Sequence, residues 1–248
     1  MLELHGVKKV LGKTTVLHGL DLAIQEQRTT VLIGPSGCGK STVLRTLIGL
    51  LLPDQGRVTF QGEVLAASSL RRVRHRMGYV IQDGGLFPHL SARRNVTLLA
   101  KHLGWTASAC EQRLAELTDL VRLPPDVLDR VPAELSGGQQ QRVGLMRALM
   151  LDPDVLLMDE PLASLDPMVR HDLQQDLRQI FRSLQKTVVL VTHDLAEAEF
   201  FADEVVLLKA GTIVQQGSAR SLFEQPASDF VRRFVQAQRG HRDGAEES

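Results

Sequence analysis

Three runs of uninterrupted apolar residues punctuate the chain: "TTVLI" at 29–33, "DVLLM" at 154–158 and "TVVLV" at 187–191. Continuous rather than alternating hydrophobicity predicts strands covered on both faces, as in a parallel sheet. Patterns of helical period lie near them. Val43, Leu44, Leu47, Ile48 and Leu51 share one helix face, and so do Leu173, Leu177, Ile180, Phe181 and Leu184. Strand and helix in alternation predict an α/β core.

Elsewhere the period changes. The first ~65 residues hold alternating, strand-like segments, from "MLELHGVKKV" to "GRVTFQG". Residues 88–150 follow a helical pattern, with a polar helix around "CEQRLAELTDLV". Helical sequence is thus inserted between two halves of the α/β core. "DEVVLLKAGTIVQQG" predicts two strands about a Lys-Ala-Gly turn. "SDFVRRFVQAQR" predicts an amphipathic helix, and the polar "GHRDGAEES" after it is expected to fray.

Composition narrows the partners. The formal net charge is zero, so the overall balance gives no electrostatic case for nucleic acid. No apolar run approaches the ~20 residues of a spanning helix, and the N-terminal stretch does not read as a signal peptide. Cys38 and Cys110 make no disulfide framework, which fits a reducing interior. If the protein serves a membrane, other chains do the spanning.

The candidate chemistry starts with "GPSGCGKST": Gly34, Pro35, Ser36, Gly37, Cys38, Gly39, Lys40, Ser41 and Thr42. It matches G-x-x-x-x-G-K-[ST] and sits between a predicted strand and a predicted helix. Glycines free backbone N–H groups to surround phosphates, Lys40 can reach the β/γ oxygens, and Ser41 can ligate Mg²⁺. "VLLMDE" delivers Asp159 and Glu160 at a strand end. "LSGGQQQRV" at 135–143 poses a puzzle, because Ser-Gly-Gly opening a helix makes a second anion-attracting end.

Taken together, "GPSGCGKST", "LSGGQQQRV", "VLLMDEPLASLD" and "VLVTHD" resemble the Walker A, signature, Walker B with D-loop, and switch-histidine motifs of the ATP-binding cassette family. Gln82 in "GYVIQDGGLFPHLS" falls at the family's Q-loop position. The order is the family's, and the resemblance runs essentially from end to end. It implies a P-loop NTPase (RecA-like) core with an antiparallel β subdomain and an inserted α-helical subdomain. The expected division is 1–87 with 151–225 for the core, 88–150 for the helical part, and 226–248 for a C-terminal helix and tail.

The resemblance also implies an ATPase cycle and answers the puzzle. Cassettes pair head to tail around two ATP molecules, and the signature of one copy meets the γ-phosphate held by the other's Walker A loop. Ser136, Gly137, Gly138 and Gln139 would then serve a neighbour's ATP, and Asp166 would link the two sites. Glu160 would polarise the attacking water, and His193 would hold that water and the γ-phosphate. Mg²⁺ would be held through Ser41, Gln82 and Asp159, with Gln82 also sensing the partner. One departure stands out: where the family often stacks an aromatic on adenine, this chain has Leu11. Weak ATP binding by the lone chain and poor discrimination between ATP and GTP are therefore expected.

Two functional classes remain: the ATPase subunit of a transporter, and a soluble cassette in DNA repair, translation or cofactor assembly. Repair cassettes carry a long coiled coil between Walker A and B, and translation factors carry two cassettes; this sequence has neither. "LFPHLSARRNV" resembles importer subunits whose Q-loop region receives a permease, leaving Leu86, Phe87 and Leu90 partly exposed. The basic "RRVRHRMG" reads first as a solvated face. Within importers, the resemblance is to cassettes for glycine betaine, choline and related osmolytes, with other small solutes or a lipid-trafficking system as alternatives. The expected partners are a second, identical cassette, a transmembrane permease and a solute-binding protein, with no nucleic acid. The expected location is the cytoplasmic face of the cell membrane, held peripherally.

Overall fold

In the computed structural model, which describes residues 2–82 and 84–243, the three apolar runs are strands. In chain order the elements are β1 (Leu2–Leu11), β2 (Thr14–Ile24), β3 (Thr29–Ile33), α1 (Lys40–Leu47), β4 (Gln55–Phe60), β5 (Glu63–Val64), α2 (Leu70–Arg74), β6 (Met77–Val80), α3 (Ala92–His102), α4 (Ala107–Leu120) and α5 (Gly137–Leu149). They continue with β7 (Val155–Asp159), α6 (Pro167–Leu184), β8 (Thr187–Val191), α7 (Leu195–Phe201), β9 (Glu204–Lys209), β10 (Thr212–Gly217), α8 (Ala219–Glu224) and α9 (Asp229–Asp243). The chain divides into two compact units, one of residues up to 70 with those from 187 onward, the other of residues 71–186.

The first unit contains an antiparallel sheet in the order β2-β1-β4-β5. Leu2 and Leu4 of β1 are buried, and so is Val7, one place out of alternation. An irregularity in the pairing between Leu4 and Val7 restores the inward face. The same unit holds strands in the order β10-β9-β3-β8, with β3 parallel to both neighbours and β9–β10 an antiparallel hairpin. Its two-residue turn places Ala210 and Gly211 at φ 44° and 75°, as the right-handed twist of a hairpin favours. Every residue of β3 and β8 is buried, which is why their sequences do not alternate.

Helix α1 buries Val43, Leu44 and Leu47 and packs against β8. It stops earlier than its apolar stripe suggests. Gly49 at φ 70° turns the chain, so Leu51 lies beyond the helix. Helix α9 buries Val231 and Val235 one turn apart. Its backbone runs through Asp243, so the first part of the expected frayed tail is helical; 244–248 lie outside the described residues.

In the second unit β6 and β7 are parallel neighbours. In the same unit helices α3, α4 and α5 pack on one another. Asp176 of α6 is buried and accepts from Arg122 at 2.8 Å and from Arg142 of α5 at 2.5 Å. A buried carboxylate is tolerated because two guanidinium groups pair with it.

Candidate functional site

The phosphate-type loop follows β3 directly. Pro35, Ser36 and Gly37 are exposed, whereas Gly34, Cys38, Gly39 and Lys40 are buried. Gly34 at φ 147° has no room for a side chain: a Cβ there would lie 2.2 Å from the Leu208 carbonyl oxygen. Gly39 adopts φ 108° and precedes α1 without any side-chain cap, and the first turn carries no acid. Ser41 and Thr42 follow in that first turn and are half-buried. The first N–H groups of such a helix lack acceptors and favour an anion.

Lys40 Nζ donates to the carbonyls of Gly34 at 2.8 Å and Pro35 at 3.2 Å. A buried ammonium held by carbonyls of its own loop is free of the cost of breaking an ion pair when phosphate arrives. Burial pushes the Cys38 thiol up, with the Lys40 charge acting in the opposite direction. The loop rests on the β9–β10 turn, where Gly211 N–H donates to Cys38 O at 2.9 Å. A Cβ on Gly211 would stand 2.1 Å from Val16 O, so glycine is required at this approach. The sequence marks Gly211 as a turn residue, but its support of the loop comes from a distant strand pair.

His193 leaves the end of β8, the parallel neighbour of β3, and is exposed. Both flanking residues are fixed. Buried Thr192 donates its hydroxyl to Glu197 at 2.6 Å, and Asp194 caps α7 by accepting from Ala196 N–H at 2.7 Å. Sequence inspection missed Thr192 and Glu197; the Asp-x-x-Glu spacing at 194–197, a helix-start pattern, was the available signal.

In the second unit the ends of adjacent parallel strands carry Gln82 and the acid pair. Gln82 lies on an exposed turn just past β6. Asp159, the last residue of β7, is buried and accepts from Tyr79 Oη at 3.3 Å. Tyr79 is the chain's single tyrosine, and its place in a short strand was the signal that could have found it. Glu160 is half-buried at φ 45°, a left-handed conformation that non-glycine residues rarely take. Such strain persists where the surroundings dictate it and clusters at functional sites.

The "LSGG" turn caps α5. Ser136 Oγ accepts from Gln139 N–H at 3.3 Å, and Gln139 Oε1 accepts from Ser136 N–H at 3.0 Å. Immediately before α6, Asp166 caps that helix, accepting from Val169 N–H at 3.1 Å. The two helix starts touch: a Cβ on Gly137 would lie 3.1 Å from Leu165 Cδ2, and one on Gly138 2.7 Å from Val169 Cγ1. Ser136, Gly137, Gly138, Gln139 and Asp166 are thus brought together.

Toward the other end of α5 is a cavity of 410 Å³ whose lining includes Met77, Tyr79, Phe87, Leu98, Leu99 and Arg147. Phe87, Leu98 and Leu99 are each 44% exposed. Leu86 and Leu90 are half-buried, in line with expectation. Buried Asn95 fixes the segment, accepting from Phe87 N–H at 2.7 Å and donating to Leu90 O at 3.0 Å. In the basic stretch Arg71 and Arg72 are exposed, while Arg74 and His75 line the cavity. Leu11 is 41% exposed at the end of β1, where Asp54 accepts from Val10 N–H at 2.6 Å.

Among the described residues, no group of three His, Cys, Asp or Glu side chains could hold a metal ion, and no helix is long and apolar enough to cross a membrane. The hydroxyl of Ser41, the amide of Gln82 and the carboxylate of Asp159 each offer an oxygen, the donor type Mg²⁺ prefers.

The sequence family described as ABC transporter matches residues 17–163. The glycine betaine/carnitine/choline transport ATP-binding protein OpuCA of Bacillus subtilis (strain 168) is 43% identical over 240 residues. That match covers 96% of this chain and 63% of the relative, so the chain spans under two thirds of that protein's length. The glycine betaine uptake system ATP-binding protein YehX of Escherichia coli (strain K12) is 44% identical, covering 94% and 76%. A dimeric cassette, MJ0796, in a post-hydrolysis state bound to ADP and Pi superposes with a TM-score of 0.79 at 32% identity, covering 89% of this chain and 99% of that one. With a P-loop α/β fold, the motifs in order and relatives of this identity, the chain belongs to the ABC transporter family.

Proposed function

We propose that this chain is the ATP-hydrolysing subunit of an importer, dimerising around two Mg-ATP and driving a separate permease. The observation that carries this is the uncapped, glycine-led start of α1 with buried Lys40, in a chain that also presents a second glycine-bared helix end at Ser136. The first end holds ATP; the second serves the γ-phosphate held by a second copy.

Within that scheme the Gly34–Thr42 loop wraps the phosphates and Lys40 neutralises the β/γ oxygens. Ser41, Asp159 (through water) and Gln82 contribute to Mg²⁺, which when bound offsets charge on the transferring phosphoryl group. Glu160, held at the end of a rigid strand, accepts a proton from the attacking water. His193, fixed by Thr192 and Asp194, orients that water and the γ-phosphate. Asp166 communicates across the dimer from the start of α6. Positioning and charge stabilisation supply most of the rate in such a transfer.

The apolar groove at Phe87, Leu98 and Leu99 is the docking place for a permease, so the chain works at the cytoplasmic face of a membrane without entering it. The names of the relatives favour glycine betaine, choline or a related osmolyte as solute, delivered by a solute-binding protein. Glu160→Gln is expected to bind ATP, lose turnover and accumulate as a dimer; normal hydrolysis would remove Glu160 from its role. Chelating Mg²⁺ is expected to abolish hydrolysis in the native chain. Proteins co-purifying from detergent-solubilised native membranes test the partners: a polytopic membrane protein with a solute-binding protein is expected, and soluble partners alone would contradict the importer.

A further inference from the structure

The segment that follows Gln82 lies against the middle of α5. Arg147 donates to Gly85 O from Nη1 and to Gly84 O from Nη2, each at 2.8 Å. Burial pushes the Arg147 guanidinium below its ordinary range. Gly84 and Gly85 both have positive φ, and a Cβ on Gly85 would sit 1.9 Å from Ile81 Cδ1, so this path depends on glycine. Where the segment crosses the helix, α5 presents Gly144. A Cβ built there would stand 3.5 Å from Gly84 O.

One turn earlier on the same helix is Gln141, only 6% exposed. Neither atom of its amide has a hydrogen-bond partner among the described residues. Its Oε1 lies 4.0 Å from the same point above Gly144 that Gly84 O approaches. The unpaired amide is therefore beside the backbone that Arg147 holds. Burying an amide in this way is unfavourable, and a buried polar group without a protein partner marks a strained, functional or water-binding position.

We propose that Gln141 is a positioning residue for the Q-loop. Arg147 holds the backbone after Gln82 in the arrangement seen here, and the Gln141 amide bonds that backbone in a second arrangement favoured by Mg-ATP. The same helix begins with Ser136, so the exchange links Gln82 to the helix that serves a neighbour's ATP. The inference rests on Gln82 acting at the Mg-ATP site.

The test uses full-length Gln141→Met, which keeps the side-chain length and removes both polar atoms, assayed beside the native chain and Gln82→Ala. Without nucleotide the methionine variant is expected to melt at or above the native temperature. Its kcat is expected to fall roughly fivefold, the worth of about one net hydrogen bond, with KM for ATP within about twofold. Native kcat in Gln141→Met with Gln82→Ala impaired would overturn this inference alone. Native turnover in Gln82→Ala would overturn the role of Gln82 and this inference with it. A methionine variant that melts lower would show that the amide is already paired, which also overturns it. Hydrogen exchange of native residues 84–87 gives a reading independent of any variant. Protection is expected to change on adding a non-hydrolysable Mg-ATP analogue, and unchanged exchange would contradict the switch.

Discussion

Helices α1 and α5 both start at glycine-bearing stretches, α1 just after Gly39 and α5 with Gly137 and Gly138 as its first residues, yet their first turns are completed in different ways. At α1 the cap residue is Gly39, which supplies no side-chain cap, and the next residue is a buried lysine. At α5 a reciprocal pair, Ser136 and Gln139, satisfies two donors before any ligand is considered. The α1 end has no capping side chain of its own, which leaves it open to phosphate. The α5 end stands without phosphate and keeps only the N1 and N2 donors of Gly137 and Gly138 for an outside acceptor. Such an end suits a contact made and broken in every cycle, where tight binding would stall release.

The largest way to break this contrast is at α1. Lys40→Ala is expected to lower ATP turnover by roughly a hundred- to a thousandfold, the scale of losing one preorganised charge stabiliser; nucleotide titration and steady-state assays check it. The next effect is on packing at α5. Gly138→Val forces a Cβ to within 2.7 Å of Val169 Cγ1, which is expected to cost about 1–3 kcal/mol in denaturant unfolding. Ser136→Ala is smaller, about 1 kcal/mol of stability for a lost cap, with ATP affinity of the lone chain unchanged. If Ser136→Ala weakened ATP binding by the monomer, the signature would be acting on its own chain's nucleotide.

Two finer tests sharpen the α1 side. Leu11→Tyr is expected to tighten ATP binding by at least about fivefold, as one stacked base is worth about 1 kcal/mol or more, and to raise the preference for ATP over GTP; no change in either would show that Leu11 does not face the base. The smallest effect is that of Cys38. Burial raises its thiol pKa, so the folded chain keeps the proton at a pH where the unfolded thiol, near about 8.5, has begun to ionise. The stability it contributes is full below that value and is lost as pH rises through the folded pKa. Melting of the native chain should therefore fall more steeply above about pH 8.5 than that of Cys38→Ala.

The loop at Gly34–Thr42 was legible because one contiguous stretch makes one turn between a strand and a helix. The strands β3, β7 and β8 were legible because burial on both faces removes polar residues from their sequences. The end of α1 was misjudged at Leu51, since apolar periodicity continues past the glycine that turns the chain. Contacts between distant segments left no local pattern. Gly211 beneath Cys38, Tyr79 on Asp159, and Gln141 beside Gly84 each depend on which strands and helices become neighbours. At Ser136 the serine cap was legible from Ser-Gly-Gly, whereas the reciprocal bond from Gln139 that closes the capping box is a feature of the structure.

The most direct measurement compares Glu160→Gln with Glu160→Gln/Gly137→Asp by light scattering in the presence of Mg-ATP. Gly137 is exposed at the first position of α5, where a carboxylate is favourable to the helix but repels an approaching γ-phosphate. Both proteins are expected to fold and to bind ATP equally, while only the first forms a dimer. Dimers from both, or equal ATP binding with dimers from neither, would contradict the assignment of α5's start to a neighbour's nucleotide.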